Sequence, residues 1–156
     1  MAERRSDLVR AARVLTCGDA YAAEDLVQEA LTRVYVAWPR IRDDGVHAYV
    51  RQVLVNAFID AGRRPARRRE LTHADLPEVP APDGFPSDDR DRVRRALATL
   101  PPRMRAAVVL RHWWQLDVAE TATVLGCSQG NVKSQTARGL DRLRERLADE
   151  TPARTV

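Results

Sequence analysis

Between Asp117 and Leu147 the chain places a small residue, Ala122, just ahead of a glycine, Gly126, and a branched apolar residue, Val132, just behind it. This is the spacing of a helix-turn-helix, and it constrains the fold more than any other feature of the sequence. Two helices cross closely only where the contact residue is small, and the sharp turn between them needs a residue that tolerates positive φ, which Gly126 supplies. Cys127 then fills an apolar slot, and Ser128 caps the second helix. At about 100° per residue, Val132, Thr136, Leu140, Leu143 and Leu147 share one face of that helix, which must be core. Asn131, Ser134, Gln135, Arg138 and Arg142 point the other way. Short amide and hydroxyl groups near a helix N-terminus, followed by arginines, suit base edges and phosphates in a major groove. The same residues would also serve as the solvated face of an ordinary bundle helix.

The rest of the sequence favours helix as well. Aromatic residues are only 5% of the 156, glycines number seven, and alanine, leucine and arginine abound, so a sheet sandwich or a collagen-like chain is excluded. The expected fold class is all-α. Charge is laid out in blocks: residues 1–69 carry 13 basic and 9 acidic groups, 70–89 carry six acids and no base, and 90–156 carry 13 basic and 7 acidic groups. Two basic blocks therefore flank an acidic connector, as separate phosphate-contacting modules on a tether would. The acidic stretch also collects Pro77, Pro80, Pro82, Pro86 and Gly84, with little hydrophobic periodicity, and reads as a linker.

Apolar periodicity predicts three helices before it. The first, about Asp7 to Leu15, has Leu8, Ala11, Ala12 and Leu15 on one stripe and stops at Gly18. The second runs from Ala20 or Ala23 to Trp38, where Pro39 halts it, with Val27, Ala30, Leu31, Val34 and Trp38 facing the core. The third, about Val46 to Arg64, buries Val50, Val53, Leu54, Ala57, Phe58 and Ala61. Four helices follow the linker: about Ser87 to Thr99, Pro102 to Gln115, and the helix-turn-helix pair, with the motif over 118–137. Leu97, Leu100, Val108, Val109, Leu110 and Trp113 or Trp114 should supply their core.

Cys17 and Cys127 are far apart in the sequence and read as small core residues, so neither a disulfide framework nor a zinc site has support. No apolar run approaches the roughly 20 residues of a membrane span, and no export signal is visible; a cytoplasmic protein that inserts in no membrane is expected. His47, His73 and His112 are scattered and there is no glycine-rich phosphate loop, so neither catalysis nor a cofactor is expected.

Four segments together resemble a known family. They are Ala23-Glu24-Asp25-Leu26-Val27-Gln28-Glu29-Ala30, Tyr49-Val50-Arg51-Gln52-Val53-Leu54-Val55-Asn56 leading to Arg63-Arg64, Leu100-Pro101-Pro102-Arg103-Met104-Arg105, and Gly126 to Ser134. In order and spacing they resemble the extracytoplasmic-function sigma factors of bacterial RNA polymerase, close to the sigma-E-like group of actinobacteria. The resemblance implies a non-catalytic initiation factor of two small helical domains: a three-helix region 2 over 1–69 and a four-helix region 4 over 87–150. A linker over 70–86 joins them and a short tail covers 151–156.

It also implies partners and roles. Asp25, Gln28, Glu29 and Thr32, opposite the core stripe of the second helix, would dock on the clamp coiled coil of the polymerase β′ subunit; carboxylates and an amide suit an arginine-rich helical partner. The β flap would be a second polymerase contact. Gln52, Asn56, Asp60, Arg63 and Arg64, with the preceding loop Ile41 to His47, would read the −10 element as melted strand, Asn56 near an extruded base and the two arginines on phosphates. Val55 and Ile59 share that face and leave part of it for an interdomain or partner contact. Ser128, Asn131, Lys133, Ser134, Gln135 and Arg138 would read the −35 duplex. The linker would thread the polymerase, its negative charge mimicking nucleic acid. An anti-sigma partner is possible in this family, and the free chain is expected to be a monomer. Members of this family commonly carry further residues ahead of the first helix, so that helix is expected to be short and weakly packed; Thr121 and Thr136 fill slots that are often aliphatic, which predicts a less apolar helix-turn-helix interior.

Two other readings stay open at this point. A helix-turn-helix regulator that binds duplex DNA without polymerase-dependent initiation would share the C-terminal motif, though residues 1–69 show no strand pattern for a ligand or receiver domain. A helical protein–protein adaptor with incidental basic faces would bind its partner without nucleic acid or salt dependence.

Overall fold

The computed structural model describes residues 2–63 and 87–150, and its ordered elements are helical throughout. The linker over 70–86, Arg64 and the tail over 151–156 lie outside the described residues. Helix α1 spans Ala2–Leu15, α2 Ala20–Ala37 and α3 Val46–Gly62; α4 spans Ser87–Ala98, α5 Pro102–Val108, α6 Val118–Leu125 and α7 Gln129–Asp149. Among the described residues no helix is long and apolar enough to cross a membrane.

Local chemistry sets the boundaries. Cys17 and Gly18 both take positive φ, 56° and 89°, which ends α1 and turns the chain. Asp19 then caps α2, its Oδ1 accepting the Ala22 N–H at 3.0 Å. Pro39 opens a 3₁₀ turn over Trp38–Arg40, because proline offers no N–H to continue α2. Asp88 and Asp89 close the acidic stretch from within the first turn of α4, where the helix dipole favours negative charge. The predicted helix from Pro102 to Gln115 is instead an α-helix to Val108 followed by a π-helical turn over Val109–Trp113. Gln115 takes positive φ, 54°, and closes that turn.

In the N-terminal bundle α2 packs on both α1 and α3. Ala11, Ala12, Leu15, Ala23, Leu26, Val27, Ala30, Val34, Val53, Leu54, Ala57 and Phe58 are buried. Helix α1 begins earlier than its stripe predicted, at Ala2, and its three small or branched contact residues are fully excluded from solvent, so it is not the weak element expected. Two expected core residues of α2 are not core: Leu31 is 37% and Trp38 53% exposed. Leu26 and Ala23 take the inward positions, which rotates the buried stripe away from them.

In the C-terminal bundle α7 packs across α5, α4 and α6. Gly139 makes the α5–α7 crossing possible: a Cβ there would lie 2.6 Å from Val108 Cγ2 and 3.2 Å from Met104 Cγ. Leu100, Leu110 and Val132 are fully or almost fully buried, Trp114 is half-buried against the core, and Trp113 is 53% exposed. Leu140, Leu143 and Leu147, expected as core, are only half-buried; Leu140 and Leu143 pack at the rim of the cluster formed by Leu97, Leu100, Met104 and Val108.

The two threonines inside the helix-turn-helix differ in a way that sequence did not reveal. Thr121 Oγ1 donates to the Asp117 carbonyl at 2.8 Å, whereas the buried Thr136 hydroxyl has no partner among the described residues. A buried hydroxyl left without a hydrogen bond costs free energy, and valine has nearly the same shape. Thr136→Val should therefore raise unfolding stability by about 1 kcal/mol in urea titrations, and Thr121→Val should not. A loss on Thr136→Val would mean that its hydroxyl has a partner after all.

Candidate nucleic-acid interface

The helix-turn-helix is built as its spacing required. Asp117 caps α6 reciprocally: its Oδ1 accepts the Glu120 N–H at 2.7 Å while Glu120 Oε2 accepts the Asp117 N–H at 3.0 Å. Gly126 adopts the left-handed conformation, φ 63° and ψ 40°. Ala122 is buried at the crossing and Cys127 packs half-buried on the core. Ser128 Oγ accepts the Asn131 N–H at 3.1 Å, so this hydroxyl is occupied in starting α7. Arg103 donates to the Leu125 carbonyl at 2.8 Å and fixes the C-terminal end of α6, a contact that sequence reasoning missed.

With Val132, Thr136 and Gly139 facing inward, α7 turns Asn131, Lys133, Ser134, Arg138 and Arg142 fully outward and leaves Gln135 half-buried at the edge. These residues form one stripe on an otherwise unobstructed helix face. Lys133 stands beside the main row, in a position for phosphate or groove-edge contact.

On α2, Asp25, Gln28 and Thr32 are exposed and Glu29 is half-buried. Thr32 Oγ1 donates to the Gln28 carbonyl at 2.8 Å, so its hydroxyl serves its own helix. Glu29 Oε1 pairs with Arg33 Nη2 at 2.6 Å, and Arg33 reaches Asp60 Oδ2 on α3 at 3.4 Å. Arg33 thus joins one residue expected at polymerase to one expected at DNA. The Glu29–Arg33 spacing, one helical turn apart, could have revealed the first pair from sequence. The Asp60 contact depends on how α2 and α3 pack.

Helix α3 carries two adjacent strips. Gln52, Asn56 and Asp60 are half-buried and Arg63 is exposed; next to them run Arg51, Val55, Ile59 and Gly62. The second strip faces the C-terminal bundle, with α3 packing on α5 and α6. The Arg51 guanidinium lies 5.3 Å from the Trp114 ring centroid at one end, and a Cβ on Gly62 would come 2.7 Å from Pro102 Cγ at the other. Between these ends Val55 and Ile59 are buried at 0% and 6% exposure. Their exposed-looking positions in sequence are explained by this interdomain contact.

Arg105 on α5 ties the same junction. It donates to the carbonyls of Leu97, Leu100 and Ala98 in its own half and to Leu15 in the other, the last at 2.8 Å, and stands 5.5 Å from the Phe58 ring centroid. Cys17 lies nearby, and burial pushes its thiol up from the ordinary value despite the opposing charges of Arg105 and Arg94. A thiol held protonated is a poor nucleophile and metal ligand, consistent with a packing role.

The geometry therefore offers a polar face on α2, a half-covered strip on α3 and an open, arginine-bearing stripe on α7. Residues 1–69 match the family model for sigma-70 region 2, and residues 90–143 match that for sigma-70 region 4. The chain is 42% identical over 147 residues to the RNA polymerase sigma-E factor of Streptomyces coelicolor, covering 92% of this chain and 81% of that protein. It is 41% identical to the sigma-E factor of Streptomyces avermitilis, over 92% of this chain and 80% of that one. Among solved structures, the sigma factor RpoE from Bartonella quintana, crystallised with the anti-sigma factor NepR, superposes with a TM-score of 0.73 at 25% identity, covering 94% of this chain and 92% of that one. With both family regions matched in order, and with relatives of this identity and coverage, the chain belongs to the extracytoplasmic-function sigma factors and is a transcription initiation factor of RNA polymerase.

Proposed function

We propose that these three faces divide the work of initiation. Residues 1–69 act as the core-binding and −10-reading domain and 87–150 as the −35-reading domain, joined by the acidic stretch. Asp25, Gln28 and Glu29 on α2 take the polymerase clamp, with Thr32 completing that face. Gln52, Asn56 and Arg63, continued by Arg64, take the melted −10 strand. Asn131, Lys133, Ser134, Gln135 and Arg138 take the −35 duplex. The observation that carries this reading is the α7 stripe, where Asn131, Lys133, Ser134 and Arg138 are turned to solvent and Gln135 lies half-buried at the edge, while Val132 and Thr136 anchor the helix beneath them. Ser128 belongs to this site as the cap that positions Asn131, and Asp60 belongs to the α3 site as the anchor of Arg33.

The remaining partners follow from the same reading. The β flap is a second polymerase contact, and an anti-sigma factor is the regulator, a reading supported by a structural relative crystallised with one. The protein works in the cytoplasm, where polymerase is, as a monomer without cofactor or catalytic site.

Run-off transcription tests this directly. Purified actinobacterial core polymerase with this protein, on a pool of upstream genomic fragments, should give discrete transcripts absent without it. Asn56→Ala and the combined Asp25→Ala, Gln28→Ala and Glu29→Ala variant should each abolish them. Duplex binding with no core-dependent transcript would instead indicate an ordinary helix-turn-helix regulator.

A further inference from the structure

Arg51 stands out among the arginines of the N-terminal bundle by its position. It sits on the α3 strip that faces the C-terminal bundle, one residue from Gln52 and on the turn before Val55 and Asn56. Among the described residues it makes no ion pair; its contact is the face of Trp114. Trp114 reaches it because the π-helical turn over Val109–Trp113 adds a residue to the end of α5, leaving Trp113 in solvent and turning Trp114 inward. An aromatic face attracts a guanidinium but leaves its charge uncompensated, and a phosphate compensates it better.

We propose that Arg51 has two alternative partners: Trp114, which holds the domains together, and a backbone phosphate of the single strand lying along α3. The inference rests on the reading of α3 as the −10 strand site and adds a residue and a regulation to it. A strand laid on Gln52, Asn56 and Arg63 runs along the edge of the interdomain contact, within reach of Arg51 only when Trp114 lets go. Region 4 and nucleic acid then compete for one guanidinium, and binding of the strand favours separated domains. In thermodynamic terms the ligand shifts the population toward the state in which Arg51 is available.

The test is a fluorescence-anisotropy titration of the full chain, over a range of salt concentrations. The probe is a labelled oligonucleotide of about 12 nucleotides, within the site sizes of single-strand binders, copied from the non-template strand of a promoter recovered by run-off. Trp114→Leu, which keeps an apolar side chain and removes the ring, should bind about threefold to tenfold more tightly than wild type, the factor that a lost cation–π contact corresponds to. Arg51→Ala should bind more weakly, with its salt slope reduced by about 0.7, the value for one single-strand phosphate contact. Arg51→Lys should restore the slope, since the charge remains. The double variant Arg51→Ala, Trp114→Leu should bind no more tightly than Arg51→Ala. Wild-type affinity in Trp114→Leu, or a double variant as tight as Trp114→Leu, overturns the proposal. If Asn56→Ala and Arg63→Ala leave binding unchanged in the Trp114→Leu background, the reading of α3 itself is wrong; if they weaken it while Arg51→Ala does not, only the role of Arg51 is.

Discussion

Alanine at Asn131, Lys133 and Arg138 together should weaken binding to a promoter fragment recovered by run-off by roughly 10²-fold or more, since each base-reading or phosphate contact is worth at least about 1 kcal/mol. The three side chains lie in the outward stripe of α7, so the fold should be unaffected. Single substitutions separate their roles. Loss of a base contact relaxes preference for the promoter over a scrambled duplex, whereas loss of a phosphate contact weakens both equally and lowers the salt slope by about 0.9 per contact for duplex DNA. Lys133→Ala is expected to behave in the second way and Asn131→Ala in the first. Arg138→Ala with wild-type binding to both duplexes would remove Arg138 from the site, and a destabilised triple variant would show that the stripe supports the fold.

The second large effect is on stability. Arg105→Ala should lower the free energy of unfolding by about 3 kcal/mol, because it removes the common donor of four carbonyls at the junction of α1, α4 and α5 together with the stacking on Phe58. Arg105→Lys should rescue little, since one ammonium on a flexible stem cannot reproduce a planar fork that bonds several carbonyls at once. Urea denaturation monitored by circular dichroism measures both. A loss below about 1 kcal/mol would mean that water replaces the arginine at these carbonyls. Because Leu15 belongs to the other bundle, Arg105→Ala should also loosen the domain contact, and α3 amides should exchange faster with solvent.

Most of the architecture was legible in residue order because it rests on local rules. Gly126 at the turn, Ser128 at the cap, Pro39 after α2 and Pro102 at the start of α5 each act within a few residues, and a reader of sequence finds them where the structure has them. The α7 stripe was legible for the same reason: a single helical period separates Val132 and Thr136 from Asn131 and Arg138. Where the reading failed, the cause was a neighbour. Leu31 and Trp38 fit an apolar stripe on α2, yet α1 and α3 approach from the side of Ala23 and Leu26 and leave them in solvent. The helix from Pro102 is regular only to Val108, because the π turn over the five residues Val109–Trp113 keeps the apolar spacing of a helix while shifting the residues beyond it.

The candidate sites divide in the same way. That Asp25, Gln28, Asn131 and Arg138 stand free follows from periodicity alone. That Glu29 and Asp60 are tied by Arg33, that the buried Thr136 hydroxyl has no partner among the described residues, and that Val55 and Ile59 are covered by α5 and α6 does not. By itself the sequence determined an all-helical chain, two bundles with basic surfaces, a helix-turn-helix and the face it presents, since caps, turns and amphipathic periods are encoded within one or two helical turns. Only the tertiary structure decided how the bundles meet: Arg51 on Trp114, Arg105 on Phe58 and the Leu15 carbonyl, Gly62 against Pro102. Those contacts join residues some 40 to 90 positions apart in the chain. No local rule relates them; the packing of whole helices brings them together.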